Sequence, residues 1–90
     1  MTREQLQSAS ASLRTAAEAV GDEEVEKRLY DQSEQLATLA TADRGPDHGR
    51  LARHMRALQT LEEETGGDVA EAIADALEAV TEYRSTVSGV

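Results

Sequence analysis

The sequence predicts an all-α fold, an up-and-down antiparallel bundle of four helices. Apolar residues recur at spacings of three and four, and no run alternates as a strand would. Three glycine-containing breaks divide the 90-residue chain into four segments. The breaks are Gly21-Asp22, Gly45-Pro46 and Gly66-Gly67-Asp68. Amphipathic segments of roughly 17 to 20 residues joined by tight turns pack as antiparallel neighbours. We therefore expect residues 1–90 to form a single helical domain.

The first helix is expected over residues 2–20, with Thr2 as the N-cap and Gln5 completing a capping box. The spacing of its apolar residues is three, four, three and four, which places them on one face of a helix. These residues are Leu6, Ala9, Leu13, Ala16 and Val20.

The second helix is expected from Asp22 to the Gly45-Pro46 break, because proline disfavours helical geometry in the residue before it. Glu23 with Lys27 and Glu24 with Arg28 form favourable pairs four residues apart. Its apolar face contains Val25, Leu29, Leu36 and Leu39, and is interrupted by the polar residues Gln32 and Ser33.

The third helix, expected over residues 47–65, carries charges that oppose the helix dipole. Its inner face is Leu51, Met55, Leu58 and Leu61 or Glu62. Arg50 lies in its first turn, and Glu62, Glu63 and Glu64 lie in its last. Each mismatch costs about 0.3 to 1 kcal/mol when exposed at low salt. The other three helices are expected to begin with a capping residue and acid, so the third is the most promising place for a partner.

The fourth helix is expected to start at Asp68, with Glu71 at the capping-box position, and residues 88–90 are expected to fray. Its apolar stripe contains Val69, Ile73, Leu77, Val80 and Val87. The opposite face carries acid at Glu71, Asp75, Glu78 and Glu82. That acidic face is either hydrated or matched by arginines of a partner.

The charge balance limits the classes of partner. Asp and Glu number 18 against 9 Lys and Arg, for a net charge of −9. Such a surface repels nucleic acid and anionic membranes. The chain has no cysteine, no apolar run long enough for a membrane span and no apolar signal-peptide core. These features predict a soluble cytoplasmic protein. Abundant carboxylate, a single lysine and small apolar side chains further suggest a protein that works in molar salt, where inorganic cations could occupy the acidic faces.

Residues 44–56 contain four of the nine basic residues and both histidines. One hypothesis is a homodimer with two antiparallel copies of the third helix, in which Arg50, Arg53 and Arg56 face Glu62, Glu63 and Glu64. The alternative is a site for a small anion or phosphorylated ligand at Arg44, Arg50, Arg53 and His54, near a helix N-terminus. A contact with some other protein is also open.

Motifs for catalysis and metal binding are weak. His48 and His54 are six residues apart, whereas a helical zinc pair needs three or four. A metal site from Asp43, Asp47 and His48 competes with a simpler interpretation, in which these residues form a cap, a turn and a surface imidazole. No serine lies in a G-x-S-x-G motif. We therefore predict a protein that is not an enzyme, with no catalytic residue, no cofactor and no metal.

The composition, the four-helix spacing and the stretch RGPDHGRLARHMRAL resemble a group of short acidic haloarchaeal proteins of unknown function. The resemblance covers the full length of the chain. It implies a helical fold and a high-salt cytoplasm, and it implies no catalytic or binding residues.

Overall fold

The computed structural model describes residues 3–87, and this part of the chain consists of helices, turns and short linkers without a strand. The four helices are α1 (Glu4–Ala19), α2 (Glu23–Thr41), α3 (His48–Glu63) and α4 (Gly67–Ser85). The prediction of an all-α four-helix bundle is confirmed. The proposed N-cap Thr2 and the predicted fraying of residues 88–90 lie outside the described residues.

The helices are arranged around the bundle in the order α2, α1, α4, α3. α1 packs along α2 on one side and along α4 on the other, and α3 packs against α4. α2 and α3 have the least contact of these neighbouring pairs. The bundle is therefore closed least tightly between α2 and α3.

Leucine and alanine dominate the core, and every helix contributes to it. Leu6, Leu13, Leu29, Leu36, Leu51, Leu58, Ile73 and Val80 each have an exposed fraction of 0%. Each helix supplies two of these residues from its predicted stripe, while Val20 of the first predicted stripe is only partly buried. Because alanines fill much of the remaining interface, α1 can approach its neighbours closely.

Two buried serines join α1 to α2. Ser10 Oγ donates to the Ser33 carbonyl oxygen at 2.8 Å, and Ser33 Oγ donates to the Ser10 carbonyl oxygen at 3.1 Å. Each hydroxyl thus reaches the backbone of the opposite helix. Ser33, which interrupts the apolar pattern in the sequence, is therefore part of a helix contact that needs a small side chain.

The helix starts differ from the predicted pattern of capping. Asp22 caps α2 by accepting from Val25 N, as predicted, and Asp47 caps α3 by accepting from Arg50 N at 2.8 Å. α4 begins at Gly67, one residue before Asp68, and its N-cap position, Gly66, makes no side-chain bond. The start of α4 thus lies one residue before the predicted Asp68, and Gly67 there adopts a left-handed φ of +58°, which favours glycine.

Arg3 replaces the expected cap at the start of α1. This residue occupies the N-cap position without a side-chain cap bond, and its guanidinium donates to the carbonyl oxygens of Leu39 and Ala42 at 3.0 and 2.7 Å. A cation at the carboxyl end of α2 also complements the helix dipole. Gly45 lies against this contact: a Cβ built there would be 3.0 Å from Arg3 Nε and 3.1 Å from the Tyr83 hydroxyl. A side chain at position 45 would therefore have to displace Arg3 or Tyr83 by a few tenths of an ångström.

Candidate functional site

The arginines of residues 44–56 are all on the surface. Arg44 lies in the linker between α2 and α3, and Arg50, Arg53 and Arg56 follow on α3, all four exposed. Within residues 3–87 none of them forms a salt bridge. The predicted charge reversal of α3 is also present, since its first turn has no acidic residue and its last turn no basic one. Asp47 offsets part of that cost by capping the helix.

The three glutamates at the end of α3 have different surroundings. Glu62 is partly buried and faces α4, whereas Glu63 is exposed and makes no salt bridge within the described residues. Glu64 binds Arg28 of α2 through two hydrogen bonds of 2.9 and 3.2 Å. Only Glu63 therefore remains fully available on the outer face of α3.

The partner of Arg28 differs from the sequence expectation. The predicted pair four residues away is not formed as a salt bridge, and Arg28 reaches across to Glu64 instead. The hydrogen bond to Glu64, supported by the nearby charge of Glu24, raises the pKa of Arg28. With side chains 39% and 42% exposed, the pair contributes at most about 1 kcal/mol.

His54 faces the interior. Its exposed fraction is 5%, and Nδ1 lies 2.7 Å from Gln32 Oε1 of α2. An amide oxygen only accepts, so Nδ1 carries the proton of this hydrogen bond. Burial lowers the pKa of His54, and the charges of Arg50 and Arg53 lower it further. The ring is therefore a neutral contact between α2 and α3, whereas the arginines of the anion hypothesis are on the surface.

His48 and its acidic neighbours have separate structural partners. His48 Nε2 donates to the Val87 carbonyl oxygen at 2.8 Å, and the Asp47 carboxylate accepts from the backbone of α3. Asp43 is exposed in the linker. Between residues 3 and 87, no cluster of three or more His, Asp and Glu side chains is arranged to hold a metal ion.

A groove beside α4 was not predicted from the sequence. It has a volume of about 530 Å³ and is open to solvent along one side. Ala74 and Leu77 provide its apolar lining, and three glutamates line it as well: Glu62, Glu78 and Glu82. Thr81 and Ser85 complete it. We refer to this feature as the α3–α4 groove. Leu77 was predicted as a core residue, but its side chain is only partly buried. The one signal in the sequence is its position at the edge of the apolar stripe of α4.

A second, smaller hollow of about 210 Å³ is lined by Ala52, Arg53 and Arg56 on the outer side of α3. A third, of about 160 Å³, lies between α2 and α3 beside Arg28 and Gln32. Two of the predicted arginines thus share one surface hollow, on the same side of α3 as Glu63 by helical spacing.

None of the helices in residues 3–87 has the length and apolarity required to cross a membrane. Comparison with curated proteins and with solved structures found no significant match to this chain. One family model does match, and it covers residues 1–86, nearly the whole chain. The four-helix bundle described above is thus a member of the family of unknown function DUF7553.

Proposed function

We propose that this protein is a non-enzymatic helical protein-interaction module that self-associates through the outer face of α3. The observation that carries the proposal is the separation of charge on that face. Arg53 lies in its amino-terminal half, Arg56 at its middle and Glu63 at its carboxyl end, all exposed and without a salt bridge inside the described chain.

The spacing of these residues suits an antiparallel pair of α3 helices. Residues 53, 56, 60 and 63 are separated by three, four and three, so they share one face. A two-fold axis beside residue 58 places Arg53 opposite Glu63 of the second copy and Arg56 opposite its Thr60. The same contacts then occur twice, as an isologous interface requires.

The expected dimer is weak. Exposed ion pairs contribute only about 0.2 to 1 kcal/mol each. A single helix face falls at or below the roughly 1,200 Å² of the smaller specific interfaces. We therefore expect a dissociation constant in the micromolar range or above, and a monomer–dimer equilibrium that depends on protein concentration.

Sedimentation velocity over a range of protein concentrations tests this proposal. The R53E/R56E variant should remain monomeric at concentrations where the natural sequence dimerises, because the glutamate introduced at position 53 then faces Glu63 across the axis and the one at position 56 adds further negative charge to the face. The matched control is R14E/K27E, which makes the same change in net charge at exposed positions of α1 and α2. A natural sequence that stays monomeric at every concentration, or equal effects of the two double variants, would contradict self-association through α3.

The alternative is a binding site for a small anion or phosphorylated ligand on the same arginines. Its specific support is the shared hollow of Arg53 and Arg56, two guanidiniums able to hold a phosphate through paired hydrogen bonds. Titration with inorganic phosphate or a nucleotide should raise the melting temperature if this alternative holds. An unchanged melting temperature would favour the protein contact.

We further propose that the protein works in a cytoplasm of high ionic strength. Support comes from four exposed acidic residues of α4: Glu71, Asp75, Glu78 and Glu82. Glu71 and Asp75 are four residues apart, as are Glu78 and Glu82, so the two members of each pair repel each other. Screening by salt, or inorganic cations held loosely on this face, would reduce the repulsion. The net charge of −9 adds further repulsion that salt would screen.

A further inference from the structure

We infer that the α3–α4 groove is a docking site for an amphipathic helix of another protein, one that presents an apolar side chain flanked by lysine or arginine. The inference rests on the proposed role as an interaction module, but it concerns a different surface from the α3 face and a different partner from a second copy.

The apolar part of the groove is available because Leu77 lies at the edge of the core stripe. Ile73 and Val80, on the same helix, are completely buried. Leu77 is only partly buried and, with Ala74, lines the open groove. Leu77, Thr81 and Ser85 follow one another at intervals of four residues, a distance of about 12 Å along α4. That length corresponds to about two turns of a partner helix.

The acidic residues of the groove determine the sign of the charge that a partner must carry. Glu62, Glu78 and Glu82 line it, and none of the three forms a salt bridge within residues 3–87. The first of these comes from α3 and the other two from α4, so negative charge is contributed from both helices. Arginine or lysine beside an apolar anchor would pair with them, and a matching acidic helix would be repelled.

A second copy of this chain does not fit the groove. Within residues 3–87 the only fully exposed apolar side chains are Ala11 and Ala19, neither large enough to fill the space beside Leu77, and larger partly buried ones such as Met55 and Val69 are packed against the chain's own core. The α3 arginines could supply charge, but the hollow they line offers only Ala52 as an apolar neighbour. Two grooves placed face to face would bring six glutamates together. The occupant is therefore a helix with both a larger apolar side chain and basic neighbours.

The test uses a synthetic 18-residue helical peptide with leucines at positions i, i+3, i+4 and i+7 and lysine or arginine on both flanks. It is titrated into the ¹⁵N-labelled full chain at about 1 M KCl, where the Debye length is about 3 Å. A scrambled peptide of identical composition, without an apolar face, is the peptide control. We expect the amphipathic peptide to shift the amide signals of Leu77, Thr81 and Ser85, and the scrambled peptide to leave them unchanged.

Two protein variants with the same change in net charge distinguish peptide binding in the groove from binding to the acidic surface in general. E78K/E82K changes two residues that line the groove, and E71K/D75K changes two residues of the same acidic face that do not line it. We expect E78K/E82K and Leu77→Ala each to weaken binding about tenfold or more, and E71K/D75K less than threefold. Circular dichroism establishes that each variant is folded. If Leu77→Ala does not fold, the pair of charge variants still decides the question.

Three results would overturn the inference. They are equal losses in the two charge variants, equal binding of the scrambled peptide, and groove signals that shift with protein concentration in the absence of peptide. The last result would identify a second copy as the occupant. Failure of α3 self-association has a different signature, because it appears in sedimentation of R53E/R56E and leaves the peptide titration unchanged.

Discussion

Replacing Ser33 with leucine should destabilise the bundle, although leucine is the more apolar residue. Ser33 is 1% exposed, and its Oγ lies 3.1 Å from both the backbone carbonyl oxygen and the Oγ of Ser10. A leucine side chain extends beyond the serine Oγ and would have to occupy the space of α1. Overpacking of this kind costs about 1 to 3 kcal/mol.

The matched variant Ser33→Ala separates the effect of size from the effect of the hydroxyl. It removes one neutral hydrogen bond, worth about 0.5 to 1.5 kcal/mol, and regains up to about 0.5 kcal/mol from the helix propensity of alanine. The Ser10 hydroxyl keeps its bond to the residue 33 carbonyl oxygen. We therefore expect leucine to be clearly more harmful than alanine, by about 1 to 2 kcal/mol.

Urea denaturation followed by circular dichroism measures these differences. A domain of this size has a free energy of unfolding of about 5 to 13 kcal/mol, so losses of about 1 to 3 kcal/mol shift the midpoint measurably. Glu34→Leu, at the next and exposed position, should have little effect. A Ser33→Leu variant as stable as the natural sequence would refute the close approach of α1 and α2.

Three further perturbations have expected outcomes. As pH falls below the ordinary histidine pKa of 6.5, the stability of the natural sequence should decrease, because the unfolded chain binds the His54 proton more strongly than the buried ring does. His54→Gln should flatten this dependence between about pH 5.5 and 7.5, and an unchanged slope in denaturation curves would contradict the burial argument. Withdrawal of KCl should reduce helicity measured by circular dichroism, and full helicity in dilute buffer would count against the role of screening. Gly45→Ala should lower the free energy of unfolding by about 1 kcal/mol, because the added Cβ displaces Arg3. Gly21→Ala should be neutral or stabilising, because a Cβ at position 21 meets nothing within 4 Å. Equal effects of the two substitutions would exclude a packing role for Gly45.

The number, order and approximate bounds of the helices were predictable because local chemistry determines them. Asp22 and Asp47 cap the helices that follow, and Gly45 with Pro46 interrupts the helical run. The three-and-four spacing of leucine and alanine correctly identified most of the buried face of α1. At both ends of α3 and α4 the structure lies within two residues of the expected bounds.

The contacts between helices were less predictable, because they depend on distances that the sequence pattern does not contain. Arg28 was assigned a partner four residues away, but its partner in the fold is Glu64, 36 residues away. Gln32 interrupts an apolar stripe in the sequence, yet in the structure its amide satisfies a buried histidine. In each case a polar side chain lies at the loosely packed boundary between α2 and α3, where side chains rather than close backbone packing join the helices.

In the candidate site too, features within one helix were predictable and contacts between helices were not. The exposed arginines of α3 follow directly from helical spacing. The three glutamates at its end are adjacent in the sequence but diverge in space, since successive helical residues point about 100° apart. The α3–α4 groove could not be identified from α4 alone, because one of its acidic residues comes from α3.

A charge exchange between two variants tests the self-association of α3 most directly. R53E/R56E presents only acid on the face, and E63R presents only base there, so each variant alone should sediment as a monomer. Mixed in equal amounts, they should form a heterodimer. In it, the glutamate introduced at position 53 of one copy faces the arginine introduced at position 63 of the other, and the natural pairing of Arg53 with Glu63 is retained on the opposite side of the axis. Recovery of the dimer in the mixture is the predicted result. Dimers in either variant alone, or monomers in the mixture, would contradict an antiparallel contact through the outer face of α3.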